Sequence, residues 1–284
     1  MKNKAGKKKK RKWYISALLF LLPAVIVMGA VYSYLDIHQY DLGVTEYTVS
    51  SKKTETNVKI AVVADLHNHE YGEENIELIN KIKEKNPDLI AVVGDVVMKD
   101  EDNISVLYSV LCSLTEIAPT YFCLGNHELA LIDRGIDIES VVSATGAVIL
   151  DDELTDVCVN GLDIVIGGLS YNPNNCTDSF KFLLEFAERD EYKLLLCHYP
   201  EFQWRFMKYD IDLVLCGHLH GGLIRLPGAG ALFAPTQGFF PEFTEGVHKS
   251  DTATMIVSRG LGSSSFIPRV NNPTELVFVD VVPG

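Results

Sequence analysis

Lys59-Ile-Ala-Val-Val-Ala-Asp65-Leu-His67 is an aliphatic run that ends in a carboxylate and an imidazole. Four later stretches share the design: Asp88-Leu-Ile-Ala-Val-Val-Gly94-Asp95, Tyr121-Phe-Cys-Leu-Gly125-Asn126-His127-Glu128, Tyr192-Lys-Leu-Leu-Leu-Cys-His198 and Asp212-Leu-Val-Leu-Cys-Gly217-His218-Leu-His220. A continuous aliphatic run of this length reads as a strand buried on both faces of a sheet. Where such strands run parallel, their carboxyl ends share one edge, and the residues just after them converge there. Asp65, His67, Asp95, Asn126, His198, His218 and His220 would meet at that edge. They suffice for two metal ions with one carboxylate shared.

Each fragment alone has an ordinary explanation. Gly-Asp is a common turn, and a single histidine after a strand is usually solvated or hydrogen-bonded to backbone. The joint pattern is not ordinary: of eight histidines, five fall in these strand-end groups, and only His38, His69 and His248 do not. Mixed Asp, Asn and His donors suit Mn²⁺, Fe²⁺ or Zn²⁺ rather than Ca²⁺. Two such ions about 3.5–4 Å apart can clamp a phosphoryl group and lower the pKa of a bound water to about 7.

In this order, Asp-x-His, Gly-Asp, Gly-Asn-His-Glu, a strand-end His and Gly-His-x-His resemble the calcineurin-like metallophosphoesterase family over roughly Val58 to Val282. Pro235-Thr-Gln-Gly-Phe-Phe-Pro241, Ser258-Arg-Gly-Leu-Gly262 and Pro273-Thr-Glu275 resemble its small bacterial, membrane-associated, single-domain branch. Gly94-Asp95 departs from many members in its sequel, Val96-Val97-Met98, where a polar residue is usual. The resemblance implies a four-layer α/β/β/α sandwich of two mixed sheets with the metals at one sheet edge. It implies one ion on Asp65, His67, Asp95 and His220, and another on Asp95, Asn126, His198 and His218. Asp95 would be the bridge. The implied reaction is phosphomonoester or phosphodiester hydrolysis by a hydroxide between the ions. His127 would face the phosphate without binding metal, as the acid for the leaving group. Glu128 is then either a partner orienting that imidazole or a solvated loop carboxylate, and His69 either lines the substrate mouth or is a surface residue.

The first twelve residues hold eight of the 25 Lys and Arg. Trp13 to Leu35 then run for 23 positions without a charged side chain. A helix of that length spans a hydrocarbon core of about 30 Å. The expected organisation is a basic cytoplasmic tail (1–12), a single transmembrane anchor (13–35), a tether (36–57) and a phosphoesterase domain (58–284). Basic residues on the amino side place the domain outside the cytoplasm. A cleaved signal peptide, leaving a secreted form, is the competing reading, although Val27-Met-Gly-Ala30 is a poor cleavage site. The tethered position favours lipid-linked or cell-envelope phosphoesters as substrates. Without the tail, 17 basic residues face 38 acidic ones, about −21 in all. No nucleic-acid binding through phosphate neutralisation is expected of such a domain.

Apolar residues at helical spacing predict helices over 73–86 and 103–117, the second capped by Asp102 or Asn103. Thr177 would cap a further helix, and another runs through 201–209. One edge strand is expected at Tyr47-Thr-Val49, and strands without intervening helices near Val148, 162–167, 255–257 and 276–281. That alternation supports an α/β fold. Cys112, Cys123, Cys197 and Cys216 read as buried thiols rather than disulfide partners. Cys197 and Cys216 stand beside ligand groups, but strand alternation points them away. The Gly- and Phe-rich stretch 226–250 is either a wall over the site or aromatic packing onto the sandwich. The alternative to an enzyme is a catalytically silent, metal-stabilised binding module of the cell envelope. All seven ligand types and His127 are present, which favours the enzyme.

Overall fold

The computed structural model describes residues 21–35, 39–170, 176–234 and 237–284. In chain order the elements begin β1 (Gly43–Ser51), β2 (Val58–Val63), α1 (Ile76–Lys85), β3 (Leu89–Val93), α2 (Ser105–Thr115), β4 (Thr120–Cys123), α3 (Asn126–Asp133), α4 (Ile138–Ala144) and β5 (Val148–Leu150). They continue with β6 (Glu153–Val159), β7 (Leu162–Leu169), α5 (Cys176–Ala187), β8 (Tyr192–Cys197), α6 (Gln203–Phe206) and β9 (Ile211–Cys216). The last are β10 (Ile224–Leu226), β11 (Gly230–Ala234), β12 (Gly238–Phe239), β13 (Gly246–Lys249), β14 (Ala253–Val257) and β15 (Glu275–Pro283).

Two six-stranded mixed sheets form, ordered β1-β15-β2-β3-β4-β5 and β13-β14-β9-β8-β7-β6. In the first, β2, β3, β4 and β5 are mutually parallel, as are β7, β8, β9 and β14 in the second. The five motif-bearing runs therefore lie on central strands, with β2, β3 and β4 adjacent in one sheet and β8 and β9 adjacent in the other.

Alternation along the strands builds the layers. Ile60, Val62, Leu89, Ala91 and Val93 point between the sheets, where they meet Leu194, Leu196, Leu213 and Leu215. Their neighbours Ala61, Val63, Ile90 and Val92 point outward onto Leu78 and Ile82 of α1, Leu107 and Leu111 of α2, and Leu131 of α3. On the far side, Leu195, Val214 and Met255 pack on Phe182, Leu183 and Phe206. Helices, sheet, sheet and helices thus stack in that order. A side chain that is apolar on every position of β3 is what a strand covered on both faces requires.

The segment expected to be a tether contributes a nine-residue edge strand, β1, paired in parallel with β15. Ile104 holds the N-cap position of α2, and Asn103 beside it accepts from the Ser105 amide at 3.0 Å. Over 201–209 only a 3₁₀ turn and the four-residue α6 form. The stretch 226–250 is partly regular: β10, β11 and β12 make a small antiparallel sheet of their own.

Of the expected anchor, positions 13–20 lie outside the described residues, as do the basic tail, the Thr177 side chain, Pro235 and Thr236. Residues 21–35 are helical and largely exposed. Among the described residues no helix is long and apolar enough to cross a membrane.

Candidate metal centre

The chain turns abruptly after β2, β3 and β9. Asp65, His67, Asp95, His218 and His220 have φ between 48° and 74°. Few non-glycine residues take this left-handed conformation, and clusters of it mark sites where local strain is held by surrounding structure. Here it reverses the backbone so that several side chains from one loop aim at one point. Glycine makes room for the carboxylates: a Cβ on Gly125 would lie 2.2 Å from Asp95 Oδ1, and one on Gly217 would lie 2.6 Å from Asp65 Oδ2.

Five of the seven expected ligands, Asp65, His67, Asp95, His198 and His220, are buried; His218 and Asn126 are partly so. Asp65, His67 and His220 form one group with converging donor atoms, and Asp95, His198 and His218 another. His67 Nε2 lies 3.3 Å from His220 Nε2, and His198 Nε2 lies 3.2 Å from His218 Nδ1. That is about the separation of two nitrogens each about 2.1 Å from one cation. Asp95 Oδ2 sits between the groups, 3.2 Å from His198 Nε2 and 3.8 Å from His67 Nε2. Asn126 Oδ1 is buried without a hydrogen-bond partner, as a carbonyl oxygen reserved for a cation would be. The donor set fits two divalent ions.

Backbone contacts orient the donors. His198 Nδ1 lies 2.8 Å from the Val93 carbonyl, so it carries a hydrogen and turns Nε2 toward Asp95, the nitrogen that would ligate once its own proton is lost. Asp65 accepts from the His218 amide at 3.0 Å with each oxygen. Asp95 Oδ1 accepts from the His127 amide at 2.8 Å. Burial lowers His67 and His218 to about 3 and His220 well below the usual histidine value. Their rings are therefore neutral at pH 7, with lone pairs available. Burial also raises Asp65 to about 7. For Asp95, burial pushes upward, but the imidazole of His198 outweighs it and holds the carboxyl well below the usual range. His198 is the counterpart: burial pushes it down, and the Asp95 carboxylate pushes it further up, to about 10.

His127 lies at the edge of this cluster, its Nε2 3.9 Å from Asp95 Oδ2. It is also close enough to His67 and Asp95 to belong to a third donor group. Its Nδ1 accepts from the Lys99 amide at 2.9 Å, so the neutral ring carries its hydrogen on Nε2, the atom facing the cluster. The cleft above is lined by Asp95, Lys99, Asn126, His127, His218, Leu219, His220 and Ser264.

Glu128 does something other than either expectation. It is fully buried, and it accepts from the amides of Asp95, Val96 and Gly125 at 2.8–2.9 Å. It braces the backbone that carries Asp95, while the Lys99 amide orients the His127 ring. His69 is stacked 3.8 Å from Tyr40 and edge-on to Tyr71, a packing position. His248 bonds the Glu245 carbonyl, and His38 lies outside the described residues. Cys123, Cys197 and Cys216 are buried, and no cysteine belongs to a donor group among the described residues.

Three residues escaped the sequence reading. Arg269, buried, approaches His220 Nδ1 at 3.3 Å and donates to the Gly262 carbonyl. Asn272 donates to the His220 carbonyl at 2.7 Å. Glu201 Oε1 stands 3.7 Å from His218 Nε2. None lies in a ligand motif; the short spacing of Asn271-Asn272-Pro273 after Arg269 was the one available signal.

A family profile described as calcineurin-like phosphoesterase matches residues 58–222. An uncharacterized metallophosphoesterase of Aquifex aeolicus is 28% identical over 269 residues, covering 90% of this chain and 97% of its own. Phosphodiesterase YaeI of Escherichia coli is 28% identical over 229 residues, covering 79% and 82%. Among solved structures, TT1561 of Thermus thermophilus superposes with a TM-score of 0.49 at 14% identity, over 72% of this chain and 91% of that one.

Proposed function

Since the chain belongs to the calcineurin-like phosphoesterase family and is a metal-dependent phosphoesterase, we propose that it is a dinuclear enzyme working outside the cytoplasm, tied to the membrane by its N-terminus. The observation that carries the dinuclear reading is the pair of donor groups on either side of one carboxylate, Asp95. Asp65, His67, Asp95 and His220 would hold one ion, and Asp95, Asn126, His198 and His218 the other. Mn²⁺, Fe²⁺ and Zn²⁺ all suit these donors. When bound, two divalent ions neutralise phosphoryl charge and activate a water at neutral pH.

The protein's own groups divide the remaining work. Asp95, braced by Glu128, fixes the spacing of the two donor groups. His127 presents Nε2–H to the cleft and is suited to donate a hydrogen bond to a departing oxygen, stabilising the charge that develops there. Lys99, exposed at the rim, adds positive charge where an anionic ester would enter.

The charge-free run 13–35 behind a basic tail supports the anchored, extracytoplasmic reading. Protease added to intact cells should remove the domain and leave the Lys/Arg-rich end protected. Full protection of the domain, with an accessible control protein cleaved, would reverse the location. Because one relative is named a phosphodiesterase, phosphodiesters come first among substrates, with lipid-linked and envelope esters favoured by the tether. The full-length chain in detergent with Mn²⁺, tested on aryl and lipid mono- and diesters, should hydrolyse at least one class and stop on chelation. Activity indifferent to chelation would sink the reading.

A further inference from the structure

The three most exposed large apolar residues of the described chain are phenylalanines: Phe266 at 87%, Phe239 at 71% and Phe240 at 70%. All three come from segments that border the donor cluster: Pro241, next to Phe240, would meet a Cβ on Gly222 at 3.5 Å, and Phe266 follows the cleft residue Ser264. His220 leads through Gly221 and Gly222 directly into β10, and β10, β11 and β12 pair in that order. Phe239 lies on β12, with Phe240 next to it. On the other edge of β10, Val270 bridges to Ile224 and exchanges backbone bonds with Leu223 and Arg225. Phe266 lies four residues before Val270 and two after Ser264, which lines the cleft. Three strand spacings, roughly 14 Å in all, separate β12 from the Val270 segment, so the rings flank one small sheet that grows out of the donor loop.

That sheet is joined to the N-terminal helix. Tyr32 Oη donates to the Phe266 carbonyl at 3.3 Å. Gln39, just after the helix, accepts from the Arg269 amide at 3.1 Å. The helical residues 21–35 expose Leu22, Val25, Ile26, Met28 and Val31. The exposed apolar helix thus adjoins Phe266, although the two are far apart in sequence. Patches of this kind mark interaction sites. The exposed residues here suit an apolar occupant, and the domain's acid excess, about −21 without the tail, disfavours a strongly anionic one.

We propose that Phe239, Phe240 and Phe266 seat the cleft on the lipid surface, so that the ester taken is the head group of a membrane-resident amphiphile. This rests on the anchored reading above. Phenylalanine rings enter the interface while the phosphate, held at the polar level, reaches Lys99 and the donor cluster beside them. The Gly- and Phe-rich stretch is then a membrane contact beside the cleft rather than part of its lining.

Depth-dependent quenching tests this directly. In the full-length chain with Trp13→Phe and Trp204→Phe, single tryptophans replace Phe239, Phe266 or, as a control on α2, Tyr108. In nanodiscs of phosphatidylcholine with brominated acyl chains, tryptophan at 239 and at 266 should be quenched several-fold more than at 108. Equal quenching at all three positions would overturn the proposal. So would unquenched rings in discs that carry two chains, which would give this surface to a second copy. A second readout is the triple variant Phe239→Ser, Phe240→Ser, Phe266→Ser. It should lose about tenfold or more in turnover of a phosphodiester lipid in vesicles and keep its rate on a soluble aryl diester. Equal rates on both would also overturn it. If no ester is hydrolysed at all, the functional reading fails, and quenching still decides the membrane contact.

Discussion

Glu128 binds the backbone of Asp95: its Oε2 accepts the Asp95 amide at 2.8 Å while its Oε1 accepts the next amide, that of Val96, at 2.8 Å. The same Oε2 takes the Gly125 amide at 2.9 Å, tying the loop after β3 to the loop after β4. A residue adjacent in sequence to the candidate acid thus serves the bridging carboxylate. Both carboxylate oxygens are acceptors here, and an amide side chain cannot reproduce that.

Glu128→Gln should therefore turn one donor toward a backbone N–H. Buried hydrogen bonds to a charged group contribute about 1.5–3 kcal/mol each, and an unmade one costs about 1–3 kcal/mol. A loss of roughly 2–3 kcal/mol in denaturant unfolding is expected, with weaker metal binding, because the Asp95 loop loses its brace. Unchanged stability and unchanged affinity would show that the brace is dispensable.

Asp95→Asn should lower occupancy of both ions together. The amide keeps the size of the side chain but removes the charge and one acceptor shared by the two donor groups. Element analysis by mass spectrometry after dialysis should find both sites depleted. Two ions per chain at unchanged affinity would remove Asp95 from the bridging position.

Metal affinity should rise with pH, and the sign follows from the donors. Asp65, raised to about 7 by burial, is largely protonated at pH 6 and must lose that proton to ligate. His198, which burial lowers but Asp95 raises further, to about 10, carries a proton through this range and must lose it as well. His67 and His218, lowered to about 3 by burial, release none. Each proton released corresponds to about tenfold in affinity per pH unit. Two protons should leave near pH 6, falling toward one above pH 8. Titration calorimetry in buffers of different ionisation heat counts them. Affinity flat from pH 6 to 8 would contradict this.

The core strands were legible because their runs are apolar at nearly every position, Lys193 of β8 being an exception, as a strand covered on both faces requires. The donor cluster was legible because each motif ends such a run. Glu128 was misread for a physical reason: sequence adjacency places it beside His127, whereas on the first turn of α3 the two side chains leave in different directions. Arg269 and Asn272 come from a segment without periodicity, and their bonds to Gly262 and His220 depend on long-range folding. The edge strand β1 alternates polar and apolar residues beside solvent, so only its centre, Tyr47 to Val49, stood out.

His127 allows leaving-group stabilisation to be separated from metal binding. Its Nδ1 is occupied by the Lys99 amide, so its Nε2–H is free to meet a leaving-group oxygen in the cleft. Burial lowers its pKa, which makes the neutral ring a hydrogen-bond donor to developing charge rather than a standing cation. His127→Ala should keep the fold and both ions, and lose roughly 10²–10³ in kcat on an alkyl phosphoester, whose departing oxygen needs its charge stabilised. On an aryl ester with an acidic phenol the loss should be much smaller, since that oxygen leaves as the anion. A residue that only grips the phosphate would hurt both substrates alike. Equal losses on the two substrates, or one ion missing from the variant, would make His127 a binding residue or a ligand instead, and its place in the third donor group beside His67 and Asp95 makes the metal count the decisive control.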